Sequence, residues 1–186
     1  MTRSNRLALL LLPLLAGPLL AGCATGDPAM VYLGGAGDPI RGAALNAPFQ
    51  FGDLSASRGQ PARTALSLAQ MEFLADRIPQ DGYWTAQIPP TTIMQLQAAR
   101  AEARRAVGIA PAAPPDRVIA ALRQVAGSQQ GLNPAGAQEA LSGPEFPLGG
   151  TETMRRLTEL GDLRQADIAA GAINNDIMSM SNKSGR

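Results

Sequence analysis

PARTALSLAQMEFLADRI, residues 61–78, decides the fold. Pro61 suits a first helical turn, where its missing N–H would be unpaired in any case. Ala62, Leu66, Ala69 and Phe73 then recur along one stripe at helical spacing, while Leu68, Met71, Ala75 and Ile78 fall on nearly the opposite side. A helix that is apolar on two sides is covered by neighbours on both, so this stretch is read as the spine of a helical body.

Helical signals continue on its C-terminal side. After a predicted loop holding Pro79, Tyr83-Trp84 and Pro89-Pro90, Thr91 or Thr92 caps a helix striped by Leu96, Ala99, Ala103 and Val107, with Gly108 just past its end. Asp116 leads into Val118, Ile119, Leu122 and Val125, with Gly127 as the stop. Asn133-Pro134 pairs a cap with a first-turn proline, and that short helix ends near Gly143. Thr151-Glu152 starts another carrying Met154, Leu157 and Leu160, and Gly161-Asp162 restarts a last one through Ala166, Ala169, Ile173 and Ile177. No strand alternation and no fixed repeat emerges. The expected fold is all-α, a small bundle of five or six short helices over residues 61–178, followed by a disordered tail at 179–186. With 33 alanines and only 7 aromatics in 186 residues, its core buries little area per side chain and gives modest stability.

N-terminal to the spine the composition shifts twice. Residues 24–60 are punctuated by Gly26, Pro28, Gly34, Gly35, Gly37, Pro39, Gly42, Pro48, Gly52 and Gly59, which leave no helical period and suggest a flexible tether. Two apolar patches interrupt it, Met30-Val31-Tyr32-Leu33 and Phe49-Gln50-Phe51. Before the tether, Arg3 and Arg6 precede a 14-residue apolar run, Leu7 to Leu20, too short to span a bilayer as a helix but suited to a secretory signal. The run ends in Leu20-Ala21-Gly22-Cys23, which contains the chain's one cysteine.

Residues 1–23 resemble the signal of bacterial lipoproteins, whose lipobox reads Leu-Ala-Gly/Ala-Cys at the end of a leucine-rich segment. The resemblance implies cleavage between Gly22 and Cys23, a diacylglyceryl thioether on Cys23, and an N-acyl chain of the palmitate kind. Residues 1–22 would then be the signal peptide, and 23–60 the lipidated cysteine with its tether. Two or three acyl chains anchor a protein stably where one binds only marginally. Ala24, where aspartate would favour retention at the inner membrane, fits the pattern of an outer-membrane lipoprotein facing the periplasm. Removal of Arg3 and Arg6 leaves 14 basic against 15 acidic residues.

The search for chemistry is mainly one of exclusion. No histidine is present, so His-dependent triads and His-ligated metals are ruled out, and one cysteine excludes an internal disulfide or a zinc cluster. Lys183 is the only lysine, and its S-x-x-K partner position is Met180. The even charge balance gives no footprint for nucleic acid. Carboxylates remain as acid/base candidates: Glu72 and Asp76 share a helix face, with Glu102, Glu139 and Glu145 in isolation. No catalytic or metal-binding residue and no cofactor is assigned. Tyr83, Trp84, Phe49 and Phe51 are candidate partner-binding aromatics, Trp84 being read first as a plug for the bundle end. Arg100, Arg104 and Arg105 form the basic cluster, a solvated face or a contact for anionic lipid headgroups. The leading expectation is a lipid-anchored, non-catalytic envelope protein that binds an envelope partner; the alternatives are a small carboxylate-dependent glycan hydrolase and a carrier of an apolar ligand.

Overall fold

The computed structural model describes residues 37–184; the signal, the lipobox with Cys23 and the Met30–Leu33 patch lie outside the described residues. Among those described, eight α-helices occur and no strand: α1 (Pro39–Leu45), α2 (Pro61–Gln80), α3 (Gly82–Gln87), α4 (Pro90–Val107), α5 (Pro115–Gln130), α6 (Pro134–Ala140), α7 (Gly149–Glu159) and α8 (Arg164–Ser184). A π turn (Pro48–Gly52) and a 3-10 turn (Leu54–Ser57) link α1 to α2. Five of the eight helices open on proline, which reconciles a proline-rich chain with an all-α fold because the residue sits where no N–H is needed.

The spine reading of α2 holds. Twelve of its 20 residues are buried, including both predicted stripes' Leu68, Ala69, Met71, Phe73, Ala75 and Ile78. At about 1.5 Å per residue the helix is about 30 Å long, and its neighbours run along it in opposite senses. α5 is antiparallel, with Asp116 beside Arg77 and Arg123 opposite Leu66. α4 is antiparallel too, since Gln97 reaches Ala75 and the later Arg104 reaches the earlier Glu72. α1 also runs back along α2, from Asp38 near Gln80 to Ala43 near Gln70. α8 follows α2's direction, its Asn174 bonded to Leu45 and its Ser181 to Arg41. Alanines at 43, 44, 65, 69, 99, 103, 166, 169 and 170 are all buried, so the helices meet on small side chains.

Backbone polar groups freed by the sequence are recaptured by neighbouring side chains. Pro79 lies one residue before the end of α2 and cannot donate to Ala75, four residues back. That orphaned carbonyl accepts from Gln97 Nε2 of α4 at 2.5 Å. Near the C-terminus of α1 the side chains of Asn46, Gln70 and Asn174 donate to the carbonyls of Gly42, Ala43 and Leu45, Gly42 also accepting the Asn46 backbone amide. Gly108 closes α4 at φ 84°, with Leu148 packed where a Cβ would stand.

Several expectations need correction. Residues 38–60 are not tether: Ile40, Ala43, Ala44, Ala47, Phe51 and Leu54 are buried in the common core. Asp38 caps α1 by accepting from the amides of Ile40 and Arg41, a signal that the glycine count masked. Tyr83-Trp84 sits in α3, capped by Asp81, and not in a loop. α4 starts at Pro90, with Thr92 buried inside it. α5 continues through Gly127, whose missing Cβ would face open space, to Gln130. α8 continues to Ser184, so the helix runs through most of the stretch expected to be a tail.

Candidate functional site

Arg104 is buried on the face of α4 turned toward α2, and each of its three guanidinium nitrogens holds a hydrogen bond. Its Nε donates to Glu72 Oε1 at 2.6 Å and its second terminal nitrogen to Oε2 at 2.8 Å, a bidentate pair. The other terminal nitrogen reaches the carbonyls of Pro111 at 2.8 Å and Ala113 at 3.0 Å, with Ala110 at 3.4 Å. One guanidinium therefore joins α2, α4 and the proline-rich loop before α5. Glu72 and Arg104 are 1% and 5% exposed. Burial pushes the Glu72 carboxyl up, and Arg104's hydrogen bonds and charge pull it back only in part.

This resolves the basic cluster into two roles. Arg104 is buried and committed, so it is withdrawn as a headgroup contact. Arg100 is half-buried and donates to Gln97 one turn earlier, while Arg105 is exposed. Arg100, Arg104 and Arg105, with Gln97, Ala101 and Pro111, line a pocket of about 350 Å³ between α4 and the loop.

The four aromatics separate. Phe51 is fully buried and Trp84 is 2% exposed, so neither is offered to a partner. Trp84 Nε1 donates to Asp38 Oδ2 at 3.0 Å, which ties the bundle's end to the start of α1. Phe49 and Tyr83 remain outside, 72% and 57% exposed. They do not form one patch. Phe49 lies under the Arg63 guanidinium at the start of α2, 5.6 Å from ring centre to cation, whereas Tyr83 lies past the far end of that helix, edge-on to Trp84.

The carboxylates weighed for catalysis are spread over different contacts. Glu102 accepts the amide of Gln165 at the start of α8, Glu145 pairs with Arg117 at 3.4 Å, and Glu139 is exposed on α6. Asp76 lies 3.7 Å from Arg77, and its side chain accepts from Gln80. A pocket of about 360 Å³ beside Trp84 is lined by Asp38, Arg77, Gln80 and Asp81, which hydrogen bonds tie to α1, α3, α5 and α2 itself. Among the described residues no three acidic or cysteine side chains are placed to hold a metal, and no helix is long and apolar enough to cross a membrane. Nothing matched the chain among known protein families, curated proteins or solved structures.

Proposed function

We propose that this chain is a lipid-anchored protein of the cell envelope, held by acyl groups on Cys23, whose helical body binds another envelope component and does not catalyse a reaction. The observation that carries the reading is the run Arg3–Arg6, Leu7–Leu20 and Leu20-Ala21-Gly22-Cys23, in which charge, apolar length, small residues and cysteine stand in register. The non-catalytic half is supported by the carboxylates, since Glu72, Glu102 and Glu145 each hold a structural contact. Phe49, 72% exposed beside the start of α2, and Tyr83, 57% exposed past its far end, are the two separate aromatics left for a partner to meet.

Mass spectrometry of the purified product tests the anchor. A mature chain starting at Cys23 with diacylglyceryl and N-acyl groups is expected, and Cys23→Ala should leave an uncleaved or mislocalised precursor. A product that starts at Met1 with a free thiol and stays in the aqueous phase overturns the reading. Muralytic turnover that is lost on substituting Glu72, Glu102, Glu139 or Glu145 would instead favour a carboxylate hydrolase.

A further inference from the structure

The pocket between α4 and the Pro111 loop carries more positive charge than its surroundings neutralise. Glu72 lies behind Arg104 and is taken up by it in both carboxylate oxygens. Asp76, one turn along α2, is salt-bridged to Arg77. Glu102 is turned to α8, where it accepts from the Gln165 amide. What remains at the pocket is Arg100, which donates to the neutral Gln97 and lies close enough to Glu72 to share in holding its charge, and Arg105, which is exposed and in no ion pair among the described residues, so three guanidinium groups face one carboxylate. Ala101 and Pro111 give this opening apolar walls, which strengthen the field of guanidinium groups on its rim.

We propose that this pocket binds a phosphate-bearing anion, with Arg100 and Arg105 as the contacts and Arg104 as the fixed floor. Planar guanidinium forks match phosphate oxygens in a way that an ammonium does not. The site does not depend on lipidation of Cys23, because every residue in it belongs to the folded body. A free phosphate and an anionic phospholipid headgroup present the same chemistry to it. The headgroup version alone uses the apolar walls, by laying the start of an acyl chain against Ala101 and Pro111.

Titration calorimetry of the purified protein in non-ionic detergent, with inorganic phosphate in one arm and monomeric dihexanoyl phosphatidylglycerol in the other, tests the site. Saturable binding of phosphate identifies a free anion as sufficient. Saturable binding of the short-chain lipid alone identifies the headgroup. Arg100→Gln with Arg105→Gln should weaken whichever binds by about tenfold or more, whereas Arg155→Gln, the same charge loss on α7, should leave affinity within about twofold. Arg105→Gln alone, at an exposed position, keeps the test valid if the double variant unfolds. Absence of saturable binding in both arms overturns the proposal, as does equal weakening by Arg155→Gln. The N-terminal mass measured on the same sample reports the anchor separately, so the two readings fail independently.

Discussion

Arginine meets glutamate in two contrasting settings in this molecule. Between α2 and α4, Arg104 and Glu72 are enclosed by protein, and Glu72 titrates above the ordinary carboxylate range because burial outweighs its partner. On α7, Glu152 accepts from Arg155 at 2.8 Å and from Arg156 at 2.7 Å in the open, and its carboxyl is pulled down to about 2 because the two arginines outweigh a slight burial. The same pair of functional groups thus shifts in opposite directions, and the sign is set by how much water each loses. Removing water makes the inner pair costly to ionise and costlier still to break. Leaving it in place makes the outer cluster easy to ionise and of little consequence to stability.

The largest test of that contrast is Arg104→Met. It leaves Glu72 buried without a counter-charge and frees the Pro111 and Ala113 carbonyls, and a loss of about 3 kcal/mol or more is expected in urea unfolding. Adding Glu72→Met to it should restore part of the loss, since an apolar pair of similar volume carries no desolvation cost. If the double variant is no better than the single one, the loop carbonyls and not the ion pair are what Arg104 holds in place.

A finer test follows the two pKa directions. A raised folded-state value means that the stability linked to Glu72 is fully present below the unfolded value of 4.5 and is lost as pH rises through the folded value. Comparing chemical denaturation of wild type and Glu72→Gln across that range, the gap should move in the variant's favour as pH increases. Glu152 has the opposite sign. Its contribution is present above 4.5 and is lost as pH falls toward about 2. The smallest expected effect is therefore Glu152→Gln near neutrality, with an unfolding midpoint unchanged in moderate salt and any loss at low ionic strength erased as salt is added.

How far the fold was readable follows the range of the signals. α2 announced itself through Pro61 and two apolar stripes, and Asn133-Pro134 and Gly108 marked their helix ends, because each is a local effect within one or two turns. Residues 38–60 read as tether because Gly42, Pro48, Gly52 and Gly59 erase periodicity, although Asp38-Pro39 carries the same cap-and-proline signature as Asn133-Pro134. Trp84 as a plug was anticipated, but its partner Asp38 stands 46 residues away and no spacing rule connects them. Arg104 looked like its neighbours Arg100 and Arg105 for the same reason. Contacts with Glu72, 32 residues away in the chain, and with the carbonyls of the Pro111 loop distinguish a buried arginine from a surface one.

Asp38 stands at the start of the described body, and its one carboxylate accepts three hydrogen bonds: from the Ile40 and Arg41 amides, which cap α1, and from the indole of Trp84. Further along α1, Arg41 donates to Ser181, and Gln70 and Asn174 donate to the carbonyls of Ala43 and Leu45, holding the rest of the helix to α2 and α8. One side chain thus fastens the first turn of α1 to the end of the bundle, and its loss would uncap the helix and release the indole together.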